Sequence, residues 1–125
     1  MTLRVRPLVA VADVEASSRF YQRLLGAASG HGGREYERVE VDGEVVLQLH
    51  ALEVSHHHGA LADAEVRRGN GVALWFVTGD FDTAAGRAHE LAAPIVHDVH
   101  INPNSGLREI WLHDPDGYLV VLSEG

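Results

Sequence analysis

The chain contains no cysteine, and all ten of its Lys+Arg positions are arginine. Without cysteine, disulfides and thiolate chemistry are both excluded, and a cytoplasmic location is the default expectation. The basic residues are scattered, and eighteen acidic residues leave a net charge of −8. Nucleic acid is therefore not an expected partner, because neutralising phosphates needs clustered positive charge. A cationic or neutral organic ligand suits such a field better. No apolar run reaches the length of a membrane span, and the N-terminus lacks the charged-then-apolar pattern of a signal peptide, so no membrane partner is expected. At 125 residues and 46% apolar content, the chain suits one domain, or two half-domains sharing a core.

What the sequence does have is a repeat. From Val11 it reads Val-Ala-Asp-Val-Glu-Ala-Ser-Ser-Arg-Phe-Tyr-Gln-Arg-Leu-Leu-Gly, and from Val77 Val-Thr-Gly-Asp-Phe-Asp-Thr-Ala-Ala-Gly-Arg-Ala-His-Glu-Leu-Ala. In each copy an apolar strand ends at an aspartate, Asp13 or Asp80, placed to cap a following helix. Val14, Tyr21, Leu24 and Leu25 form the buried stripe of the first helix. Phe81, Ala84, Ala85, Ala88, Leu91 and Ala92 form that of the second. Gly26 offers a helix stop, and a loop with a short, weak strand follows it.

Asp42-Gly43 joins two strands as a two-residue hairpin, with Val45, Leu47 and Leu49 toward the first helix and Val46, Gln48 and His50 on the other face. A polar linker containing His56-His57-His58 divides module one (1–54) from module two (70–125), the linker running over 55–69. Module two continues with a strand over Gly71–Thr78, a helix ending before Pro94 and a strand over Ile95–Ile101. It closes on a hairpin, Leu107–Ser123, turned by Asp114-Pro115-Asp116-Gly117. That hairpin sets Trp111 beside Val121 and puts Glu109 on the Trp111 face. The layout is α+β, with helices on one side of a sheet.

With its two βαβββ modules, the Val-Ala-Asp-Val…Phe-Tyr…Leu-Leu-Gly opening and the closing Asp-Pro-Asp-Gly-Tyr, the chain resembles the vicinal oxygen chelate superfamily. That superfamily includes glyoxalase I, bleomycin-binding resistance proteins, fosfomycin resistance enzymes and extradiol dioxygenases. The resemblance implies two curled sheets around a cleft, in a homodimer. Its metalloenzymes take one ligand from each of four strands, and those positions fall here on Arg6, Gln48, Val72 or its neighbour, and Val121. Only Gln48 could coordinate a hard cation, so no metal cofactor is expected; a divalent metal is the alternative.

Strand parity lines such a cleft with Arg6, Leu8, Ala10, Glu37, Val46, Gln48, His50, Leu74, Phe76, Glu109, Trp111 and Val121. The ligand-binding candidates among these are Arg6, Leu8, Glu37, Gln48, His50, Phe76, Glu109, Trp111 and Val121. Trp111 supplies stacking area, and Glu37, Glu109 or His50 orients polar or cationic groups. Arg6 reads either as an anion clamp, as an internal partner of Glu37 or Glu109, or as a solvated strand end. Of the other histidines, His31 and His89 read as surface residues, and His97 and His100, three apart on a strand, as facing opposite sides. The resemblance and the missing donors together lead to the expectation of a metal-independent binder of a small molecule such as an aromatic natural product, in the manner of antibiotic-sequestering proteins. The alternative is a glyoxalase-like lyase or isomerase, or a dioxygenase.

Overall fold

Two aspartates start the two helices. Asp13 adopts extended backbone and its carboxylate accepts from the Ala16 amide at 3.0 Å, opening α1 (Val14–Leu25), which Gly26 closes with φ 65°. Asp80 accepts from the Thr83 amide at 3.2 Å and the Thr83 hydroxyl at 2.7 Å, opening α2 (Phe81–Glu90). Each satisfies a donor that the first helical turn leaves without a partner. Asp13→Ala is expected to cost about 1 kcal/mol in urea unfolding, and Asp13→Asn to recover most of it. The second helix is shorter than its apolar stripe, because Ala92 turns to φ 52° and carries the chain out toward Pro94. Ala92 is accordingly exposed rather than part of the buried stripe.

The computed structural model describes residues 3–52 and 61–125, which leaves His56-His57-His58 outside the described residues. Two compact units comprise residues 1–66 and 67–125. In the first, β1 (Leu8–Val11), β2 (Ala28–Ser29), β3 (Tyr36–Val41) and β4 (Glu44–Ala51) form a sheet in the order β1-β4-β3-β2, β1 lying parallel to β4 and the rest antiparallel. The second repeats this with β5 (Ala73–Val77), β6 (Ile95–Ile101), β7 (Arg108–His113) and β8 (Leu119–Ser123) in the order β5-β8-β7-β6. The fold is α+β, built of two βαβββ modules as the repeat predicts. Among the described residues no helix is long and apolar enough to cross a membrane.

One face of each sheet carries the helix. In unit one, Val9, Val11, Val39, Leu47 and Leu49 pack with Val14, Tyr21 and Leu24 of α1, all of them buried. In unit two, Leu74, Ile110, Leu112, Val120 and Leu122 are buried on the α2 side with Phe81, Ala84, Ala85 and Ala88. Arg108 identifies that side independently, since its guanidinium reaches Asp82 at 2.9 Å and lies 4.9 Å over the Phe81 ring, both on α2. Burying such aliphatic side chains contributes roughly 1.5–3 kcal/mol each. The opposite faces carry the polar and aromatic residues of interest.

Candidate functional site

On the helix-free face of unit one, cross-strand pairing aligns Leu8 with Gln48 and Ala10 with His50, and on the other side Tyr36 with His50 and Arg38 with Gln48. The Tyr36 hydroxyl donates to Gln48 Oε1 at 2.5 Å, and Gln48 Nε2 donates to the Arg6 carbonyl at 3.0 Å. The Gln48 amide is thus engaged at both ends. His50 is buried, and its Nδ1 lies 2.9 Å from the Ala51 carbonyl. A carbonyl only accepts, so Nδ1 carries the proton. The Arg6 side chain is exposed and precedes β1.

Glu37 is not on that face. It pairs with Leu49 and points toward α1, where the residue is 3% exposed and its carboxylate takes five hydrogen bonds. Ser18 and Ser29 hydroxyls donate to Oε2 at 2.7 Å each, and the backbone amides of His31, Gly32 and Arg38 donate to Oε1 at 3.0, 2.8 and 3.0 Å. Burial alone pushes this carboxyl up, but the hydrogen bonds from Ser29, Gly32, Ser18 and His31 outweigh it and hold it at about 2. Glu37 therefore ties the 28–33 segment to α1 and does not face the side where a ligand was expected. Phe76 and Leu74 are displaced from the expected face in the same way. They pair with Leu122 and Val120 on the α2 side, and Trp75, paired with Val121, takes the other face.

The helix-free face of unit two is the richer one. Reading across the strands, one row runs Trp75, Val121, Trp111, His97, and the next runs Val77, Ser123, Glu109, His100. Three of the sequence candidates, Glu109, Trp111 and Val121, meet here. Glu109 is 1% exposed. Its Oε1 accepts from the Trp111 indole N–H and its Oε2 from the Asn102 amide, both at 2.9 Å, and His100 Nε2 stands 3.9 Å from Oε1.

His97 and His100 share this face, contrary to the simple alternation. Two register shifts in β6, between Ile95 and His97 and between His97 and His100, bring both residues round. Their rings stack with centroids 3.6 Å apart and planes 24° from parallel, and both sit 6–7 Å from the Trp111 ring, at 6.4 and 6.1 Å. The Asp98 carbonyl lies 2.8 Å from His100 Nδ1 and 3.3 Å from His97 Nδ1. The Asp98 side chain goes the other way, to His89 of α2 at 2.8 Å. Sequence reasoning passed over Trp75, Asn102 and this pair of imidazoles. The pairing of Trp75 with Val121 is the one signal that could have found the first.

A divalent ion in this fold would need donors at Arg6, Gln48, the first strand of module two and Val121. A guanidinium and an alkyl chain offer none, and the Gln48 amide oxygen already accepts from Tyr36. Val72 lies just before β5, while Ala73 pairs with Leu119 on the Trp75 face, so either reading of that position supplies an alkyl group. Among the described residues no three His, Asp or Glu side chains form a metal-holding group. These residues do not fit a metal. They fit stacking on aromatic rings, beside a buried carboxylate.

No curated protein matches the sequence. Solved structures do match, at identities that speak to the fold alone. TioX from Micromonospora sp. ML1 superposes with a TM-score of 0.76 at 15% identity, covering 98% of both chains. A lactoylglutathione lyase from Agrobacterium tumefaciens gives 0.73 at 21%, covering 100% of this chain and 95% of its own. An integron cassette protein from V. Cholerae gives 0.73 at 22%, covering 99% and 97%. The family model of the Glyoxalase/Bleomycin resistance protein/Dioxygenase superfamily matches residues 4–122. With the repeated βαβββ units, this match shows that the chain belongs to that superfamily.

Proposed function

We propose that the protein binds a small, flat organic ligand without a metal, in the manner of the bleomycin-resistance branch of its superfamily. The observation that carries this reading is the row Trp75, Val121, Trp111, His97. At the strand position where a metalloenzyme of this fold would hold a donor there is a valine, flanked by two indoles. Such a row offers area for stacking, and at the Val121 position itself no lone pair for a cation.

The chain has two tryptophans, and both lie on this face, so its intrinsic fluorescence reports directly on occupancy. Titration with a panel of flat aromatic natural products is expected to give saturable quenching in the micromolar range, unchanged by EDTA. Trp111→Leu is expected to weaken binding about tenfold, the loss of roughly 1.4 kcal/mol of stacking and burial. The reading fails if no compound binds below high-micromolar concentration, or if protein with His56, His57 and His58 replaced retains stoichiometric divalent metal and turns over a substrate only when loaded. The second outcome would favour a glyoxalase-like lyase or a dioxygenase.

A further inference from the structure

Unit two surrounds its buried carboxylate very differently from unit one. Glu37 takes five donors, three of them backbone amides. Glu109 takes two, from the neutral side chains of Asn102 and Trp111, although a carboxylate has about four acceptor positions. The chain holds no lysine. Among the described residues, the one cationic or protonatable side chain within ion-pair reach of Glu109 is His100, at 3.9 Å. A buried negative charge held this sparsely is costly, and a positive charge brought near it is correspondingly favoured.

The bond from the Trp111 indole to Glu109 adds a second attraction. An indole whose N–H donates to an anion has its ring polarised, which makes the negative π face more attractive to a cation. Glu109 and Trp111 are two residues apart on β7, and the carboxylate lies 2.9 Å from the indole nitrogen, so the charge sits at the edge of the stacking surface. The stacked pair His97 and His100 walls the β6 side with aromatic edges. Resting on the ligand-binding reading above, we infer that Glu109 is the charge anchor for a planar organic cation stacked on Trp111, so that the ligand class is a flat, positively charged aromatic.

Three probes of one shape test this: N-methylacridinium, acridine at a pH where it is neutral, and acridine-9-carboxylate. Calorimetric titration at low salt is expected to show the cation binding about tenfold or more tighter than the neutral ring, with the anion weakest. In Glu109→Gln the cation and the neutral ring should bind within about threefold of each other, while Trp111→Leu should weaken both together. Should Glu109→Gln not fold, the wild-type cation–neutral gap in high salt decides the matter: a carboxylate as buried as Glu109 is little screened, so the gap should persist, whereas a preference owed only to the net charge of −8 should collapse and would overturn the anchor. Equal binding of cation and neutral ring to the wild type, or a preference that survives Glu109→Gln, overturns the anchor while leaving ligand binding intact. Failure of all three probes to bind overturns both.

Discussion

Glu37→Ala is expected to destabilise the protein by about 4 kcal/mol at pH 7, read as a lowered urea midpoint, because one side chain satisfies five donors at once. Removing it leaves three backbone amides and two serine hydroxyls without their acceptor in a site that is 3% exposed at Glu37. Glu37→Gln should cost less, about 1–2 kcal/mol, since the hydroxyls of Ser18 and Ser29 can rotate to accept from the new amide.

The same group sets an acid limb. Its carboxyl lies at 4.5 in an unstructured chain and at about 2 in the fold, so the folded value is depressed. The stabilisation is therefore complete above 4.5, and it is lost as pH falls toward 2. The shift corresponds to roughly 3 kcal/mol. Unfolding free energies measured from pH 5 to pH 2 should fall more steeply for the wild type than for Glu37→Gln. Parallel slopes would remove Glu37 from this role.

Gly69→Ala is the second large effect, expected at about 3 kcal/mol. Gly69 sits at φ +88°, and a Cβ there would lie 2.8 Å from the Gly117 carbonyl oxygen and 3.2 Å from Tyr118 Cα. Both obstacles are backbone, so no rotamer change relieves them, and the dihedral adds its own penalty. The obstacle is also firmly held. Asp114 Oδ1 accepts from the amides of Asp116 and Tyr118, and Arg68 Nε donates to Asp116 Oδ1 at 2.6 Å. Gly30→Ala is the control: its Cβ meets the carboxylate end of Glu40, which can swing aside, and the cost should stay below about 1 kcal/mol. Equal destabilisation by the two substitutions in chemical denaturation would contradict the backbone clash.

The residues that announced themselves in the sequence are those whose partners are close along the chain. The aspartate caps, the Asp42-Gly43 hairpin and the Asp114–Gly117 turn rest on local geometry, and alternation in β7 together with its hairpin pairing to β8 placed Glu109, Trp111 and Val121 on one face. Glu37 was misread for the opposite reason. Four of its five donors come from Ser18, Ser29, His31 and Gly32, which only the folded chain gathers, so its charge suggested a ligand-facing role. Phe76 was placed on the wrong side because β5 reads Ala-Leu-Trp-Phe-Val, apolar throughout, and such a run carries no alternation to fix its parity. His97 and His100 depend on register shifts, which leave no mark in a spacing count.

Those shifts also bear on how the protein keeps company with itself. Strand β6 is the outermost of its sheet, and among the described residues it leaves Val96, Val99 and Ile101 exposed along an edge that no further strand covers. A straight strand of that make-up would invite another chain to extend the sheet, the first step toward fibres. Shifted twice, with Asp98 inside the second shift held to His89 of α2, it gives an incoming strand no continuous ladder. The irregularity that gathers two imidazoles beside Trp111 thus also disfavours the addition of a strand along this edge.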